Sequence, residues 1–153
     1  MPVPFDPMNY PVTYRRKVRF SDSDSQGIVF NANYLVYIDD TIADYFDNLA
    51  FDWNEMNARG CDLVLGRAEV DYRSSGRMGE TLVVGAKVAS IGTSSVVFQL
   101  IIWEEETERV VVEAKEVQVM VDASTFEPKP VPDWFVAAID DLQGEPVEWK
   151  GRT

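Results

Sequence analysis

Asp22 and Asp24 stand two residues apart in the run Arg19-Phe-Ser-Asp-Ser-Asp-Ser-Gln-Gly-Ile-Val-Phe-Asn-Ala-Asn-Tyr34. A glycine follows them, then an apolar and amide-rich stretch that opens a helix. The first backbone N–H groups of a helix have no intrahelical partner and carry partial positive charge, so they can polarise a carbonyl or hold an oxyanion. A carboxylate within reach of that carbonyl can attack it or activate a water against it. Hydrolysis of an activated acyl group needs little more.

The rest of the composition narrows the chemistry. The chain has no histidine, which removes Ser-His-Asp and Cys-His catalysis, His-ligated zinc and histidine-based hydratase chemistry together. Any acid or base must be Asp, Glu, Tyr, Lys or Cys. Cys61 is the only cysteine, so no intrachain disulfide is possible, and as a nucleophile it would lack the usual base. Asp22, Asp24, Gln26 and Gly27 also match the first positions of a calcium-binding EF-hand loop. The required bidentate Glu at its twelfth position is Asn33, and a strand rather than a helix precedes the loop.

The net charge is −12, and no cluster of Lys and Arg is long enough to track a nucleic-acid backbone. Arg15-Arg16-Lys17 with Arg19 is the nearest basic run, read as the solvent face of a strand or as contacts to an anionic ligand. No stretch reaches the ~18 apolar residues of a membrane span. The opening Met1-Pro-Val-Pro-Phe-Asp-Pro has neither a positive n-region nor an apolar h-region. A cytoplasmic protein with no nucleic-acid or membrane partner is expected.

These residues must be positioned by the flanking elements. Val12, Tyr14, Arg16, Val18 and Phe20 alternate with Thr13, Arg15, Lys17 and Arg19, which predicts a strand ending where the Ser/Asp/Gly loop begins. Tyr34, Tyr37, Ile38, Thr41, Ile42, Tyr45, Phe46 and Leu49 fall at helical spacing. They predict one amphipathic helix over 34–49, about 24 Å long, whose aromatic stripe reads as core. Asn31 or Asn33 can cap its start. Phe51, Trp53 and Met56 continue irregularly to Gly60.

From Cys61 to Val121 the chain reads as strands. Ala68–Tyr72, Leu82–Ile91, Ser95–Trp103 and Val110–Val121 are joined by short Gly/Ser- and Glu-rich links, which implies antiparallel hairpins. The middle strands are apolar at both parities, so both sheet faces should be covered. One helix covers one face, and the second is expected to need a partner subunit. After Pro128, Pro130 and Pro132, a short amphipathic segment from Trp134 to Leu142 should end at Gly144. Residues 145–153 are expected to be a loose tail. The whole of 1–153 reads as a single domain, with a core at about 12–125 and a C-terminal extension at 126–153.

The order strand, Asp-x-Asp-x-x-Gly loop, long helix and four antiparallel strands resembles the α+β hotdog fold. The run Asp22-Ser-Asp24-Ser-Gln-Gly27-Ile-Val29-Phe30-Asn31-Ala-Asn33-Tyr34 resembles the 4-hydroxybenzoyl-CoA thioesterase-like acyl-CoA thioesterases of that fold. Ala68-Glu-Val-Asp-Tyr72 and Ile91-Gly-Thr-Ser-Ser95 add weaker matches. The resemblance implies a five-stranded antiparallel sheet wrapped around one helix, with Asp24 as the catalytic carboxylate and Asp22 as scaffolding. It places the carbonyl-polarising N–H at Asn31, a position where many relatives carry His or Tyr. Substrate contacts are implied at Gly27, Val29, Phe30 and Tyr34, with the coenzyme A tail meeting Gly92, Thr93, Ser94 and Ser95 across a subunit interface. Neither a metal nor a cofactor beyond coenzyme A of the substrate is implied. The expected partners are an acyl-CoA and further copies of the chain, as a dimer or a dimer of dimers (a homotetramer). Asn57, Arg59 and Leu63 are candidate pocket liners by their closeness to the helix end. A hotdog protein that binds an acyl-CoA without turning it over is the alternative.

Overall fold

In a computed structural model, residues 6–152 are described. Val12–Lys17 forms β1, with Val12 buried and the charged residues of the other parity exposed. The strand stops three residues earlier than its alternation predicts. The Asp22 carboxylate accepts from Arg19 N–H, and this bond closes a 3-10 turn over Phe20–Asp22 that leaves Phe20 exposed.

Helix α1 (Asn33–Asp47) buries Tyr34, Tyr37, Ile38, Thr41, Ile42 and Tyr45, the stripe read from the sequence. Its start is not capped by a side-chain acceptor. Asn33 Nδ2 instead donates to the Asp22 carbonyl at 2.9 Å. The segment read as irregular contains a short helix, α2 (Trp53–Ala58), capped by Asp52, whose Oδ1 accepts from Glu55 N–H at 2.7 Å. Six residues are too few to display a helical period.

Four long strands follow: β2 (Cys61–Tyr72), β3 (Thr81–Ile91), β4 (Ser95–Glu104) and β5 (Val110–Asp122). They join β1 in one sheet of order β1-β3-β4-β5-β2, antiparallel throughout. Its inner face carries Leu82, Val84, Ala86 and Val88 from β3 and Val96, Phe98, Leu100 and Ile102 from β4, all buried. Helix α1 packs on this face, Tyr45 meeting Phe98 edge to face at 5.4 Å. Helix α3 (Asp133–Gln143) adds Phe135 and Ile139 to the same core and ends at Gly144, which takes the left-handed conformation expected of a helix-terminating glycine.

Two expectations are corrected. The segment expected to be a loose tail contains β6 (Glu148–Trp149), which pairs in parallel with the end of β3. Val147 anchors it, buried and donating its N–H to Asp140 Oδ1 at 2.7 Å. The outer sheet face is covered in part by the chain itself. Tyr10 lies over Gly85 and beside Trp103 (6.3 Å between rings), closing a small cluster with Val83 and Ile101. A Cβ on Gly85 would come within 2.6 Å of the Tyr10 ring, so the glycine is what admits the ring.

Candidate active site

The loop between β1 and α1 folds back on itself as a miniature hairpin. Asp24 N–H donates to Ile28 O (2.9 Å), Gly27 N–H to Asp24 O (3.0 Å) and Phe30 N–H to Asp22 O (2.9 Å). At its tip Gly27 sits at φ +75, a conformation that costs a residue with a Cβ. The hairpin is docked on the 74–80 turn by Val29 N–H to Gly76 O (2.9 Å) and Met78 N–H to Gly27 O (3.1 Å). Tyr34 fastens the same turn from the helix, its hydroxyl accepting from Gly76 N–H at 3.0 Å.

Asp24 is half-buried and lines an open depression of about 380 Å³ with Phe20, Ser23, Ser25, Gly27 and Met78. One of its oxygens, Oδ1, accepts from Gln26 N–H at 2.8 Å; no hydrogen bond from the described residues holds Oδ2. The exposed Phe20 and Met78 put apolar surface beside the carboxylate.

Asn31 lies just ahead of α1, exposed, and its N–H has no partner among the described residues. The residues on either side of it are fixed. Phe30 N–H and Asn33 Nδ2 both bond the Asp22 carbonyl oxygen, each at 2.9 Å. A free donor at the head of a helix, between two tethered neighbours, is the arrangement a carbonyl oxygen requires.

Asp22 itself is buried. Its carboxylate takes a two-pronged contact from Arg16, Nη2 to Oδ1 at 2.8 Å and Nε to Oδ2 at 3.3 Å, and accepts Arg19 N–H at 2.9 Å. Burial alone would raise its pKa; the Arg16 hydrogen bonds and the Arg19 N–H outweigh that and hold it below the ordinary carboxylate range. Tyr37 packs its ring under the Arg16 guanidinium at 5.7 Å. Its phenol is pushed up to about 12 by burial and by the Asp22 charge.

Asp24, Gly27, Phe30 and Asn31 all lie on this one hairpin and its exit into α1, and the depression that Asp24 lines takes in Gly27 but not Phe30 or Asn31. Val29 and Tyr34 belong to the same hairpin and helix, with their side chains buried in the core. Gly92, Thr93, Ser94 and Ser95 lie elsewhere. They connect β3 to β4 at the far end of an 11-residue strand, about 36 Å long, whereas the Asp24 hairpin docks at its start. Gly92 N–H donates to Ser95 O at 2.8 Å and closes the turn. Of the suggested liners, Leu63 is buried, Asn57 Nδ2 is bonded to Trp53 O at 2.9 Å, and Arg59 stacks on Trp134 at 4.6 Å. Cys61 is buried. Among the described residues no three His, Cys, Asp or Glu side chains converge as metal ligands.

Sequence reasoning missed Phe20, Ser23, Ser25 and Met78 as liners, and Arg16 as the partner of Asp22. Arg16 did carry a signal, because it occupies the apolar parity of β1 beside Tyr14 and Val18. A cation on the inward side of a strand needs an anion there.

Residues 18–139 match the model of a family described as the thioesterase-like superfamily. A putative acyl-CoA thioesterase from Bacillus subtilis, YneP, is 27% identical over 125 residues, covering 79% of this chain and 90% of that protein. The acyl-CoA thioester hydrolase YbgC of Escherichia coli O6:H1 is 26% identical over 122 residues, covering 79% and 90%. Among solved structures, a thioesterase from Thermus thermophilus complexed with coenzyme A and Zn superposes with a TM-score of 0.79 at 29% identity, covering 91% of this chain and 98% of that one.

Proposed function

From a chain that belongs to the thioesterase-like superfamily and has the hotdog fold, we propose an enzyme that hydrolyses the thioester of an acyl-CoA to a free acid and coenzyme A. The thioester carbonyl sits with its oxygen on Asn31 N–H, at the positive end of α1. Asp24 acts on the carbonyl carbon in one of two ways. It adds to the carbon directly, expelling the coenzyme A thiolate and leaving a mixed anhydride that water cleaves, or it takes a proton from the water that adds. The single observation that carries the reading is the pairing of a half-buried Asp24, one oxygen unbonded among the described residues, with an unpartnered helix-end N–H at Asn31. Coenzyme A enters as part of the substrate, and the chemistry calls on no further cofactor or metal.

The asparagine side chain has no part in this scheme, because the donor is the main chain. Asn31→Ala should therefore keep kcat within about threefold. Asn31→Pro deletes the N–H and should lower kcat by about 10²-fold, the usual cost of one oxyanion donor. Thiol release from short, long, branched and aromatic acyl-CoA substrates measures both. If the parent binds these thioesters but releases no thiol from any of them, the protein is a binder and the reading fails.

The working form is proposed to be a homo-oligomer, a dimer or a dimer of dimers, in the cytoplasm. Edge strand β2 supports this, since it exposes Val64, Leu65 and Tyr72. With Gly92–Ser95 remote from Asp24 in one chain, a second copy is also what would bring that turn to a coenzyme A tail.

A further inference from the structure

Asp22 is more than a loop-stabilising residue, because its two ends serve two different elements. Its carboxylate is clamped to β1 by Arg16, and its carbonyl oxygen is clamped to the head of α1 by Phe30 N–H and Asn33 Nδ2. Asp24 follows two residues later in the hairpin, and Asn31 lies between the two donors that grip the carbonyl. The hairpin's own bonds, Asp24 N–H to Ile28 O and Gly27 N–H to Asp24 O, hold its two arms together, and Asp22 ties those arms to β1 and to the head of α1. The contacts of the hairpin at Val29, Gly27 and Tyr34 run to the 74–80 turn instead.

We infer that Arg16 and Asp22 are positioning residues that fix the catalytic carboxylate of Asp24 against the N–H of Asn31. This rests on the thioesterase reading for its kinetic consequence but not for its structural one. A planar guanidinium gripping both oxygens sets the orientation of the Asp22 side chain, which a lysine, a single point charge, does not. Tyr37 closes the cluster from α1, its hydroxyl buried beside Arg16 and Asp22. Displacement of reacting groups by as little as 1 Å can cost about 10²-fold in rate, so the loss should appear in turnover rather than in substrate binding.

The groups that face the Asp22 carboxylate are Arg16 from β1, Arg19 N–H from the turn and Tyr37 from α1. Without the Arg16 contacts the Asp22 carboxyl takes up a proton at higher pH, and the clamp opens at a higher pH than in the parent.

The test compares Arg16→Lys, Arg16→Gln and Asp22→Asn with the parent, per mole of folded protein. Expected are kcat in the order parent, Lys, Gln, a drop of about tenfold or more for Arg16→Gln and Asp22→Asn, KM within about threefold, and an acid limb of the kcat–pH profile moved to higher pH in Arg16→Gln. Hydrogen exchange read by mass spectrometry supplies a readout independent of turnover. Arg16→Gln should speed exchange in residues 22–34 while leaving β4 and β5 as in the parent. Unchanged exchange in 22–34, or a KM rise with kcat intact, overturns the inference. If Asp24→Asn keeps the parent's rate while exchange in 22–34 does respond to Arg16→Gln, the catalytic assignment has failed and the positioning device stands.

Discussion

At the scale of single residues, the two aspartates of one short motif have separate lives. Asp22 is buried and paired; Asp24 faces an open depression. The motif announced both carboxylates, and the family resemblance chose between them. The partner of Asp22 was visible only as an arginine on the wrong parity of a strand, since ion pairing between distant residues has no local periodicity. Asn31 and Asn33 both offer an acceptor to cap the helix, but neither caps it, and Asn33 acts as a donor. An amide side chain offers both roles, and the sequence does not say which the surroundings need. Gly27 is tested most simply by Gly27→Ala. No atom stands within 4 Å of the added Cβ, so the cost is conformational, about 1 kcal/mol in urea unfolding, together with a fall in kcat as the hairpin tip shifts.

At the scale of elements, the long periodic segments were legible: α1, β3, β4, β5 and α3 lie within a few residues of their expected places, whereas β2 begins at Cys61, well ahead of the alternation that starts near Ala68. The two missed elements share a cause. Helix α2 and strand β6 are too short for a period, and β6 exists because Val147 and the Asp140 carboxylate pin the chain against β3. Such contacts are tertiary. The same applies to Tyr10, whose ring over Gly85 shields Val83, Ile101 and Trp103. Tyr10→Ala should destabilise by about 2 kcal/mol and should raise the accessibility of Trp103 to fluorescence quenchers. Glu116 on β5 presents the opposite case, a buried acid that accepts from Gln118 at 3.3 Å and from no other side chain among the described residues. Burial and the Asp39 charge raise its pKa. Between its unfolded and folded pKa values the native state binds more protons than the unfolded chain, so stability falls as pH rises through that window. Glu116→Gln should therefore gain stability over the parent at pH 8 and little at pH 4, read from urea midpoints.

For the whole molecule, the composition frames a globular chain, and the absence of histidine leaves the carboxylates as the candidates for its chemistry. No helix among the described residues is long and apolar enough to cross a membrane. The both-parity hydrophobicity of the middle strands has one source within the chain, since Tyr10 covers part of the outer cluster of Val83, Ile101 and Trp103. The apolar edge at β2 remains, and native mass spectrometry should find a multiple of the 17.3 kDa chain. Leu65→Asp should shift the mass toward one copy and lower kcat if a second copy completes the site. The measurement that bears most directly on the central claim is the thiol-release rate of Asp24→Asn at saturating acyl-CoA. It should fall by about 10²-fold or more while the variant still binds the thioester and unfolds at the parent's temperature. A variant as fast as the parent would contradict the assignment of Asp24.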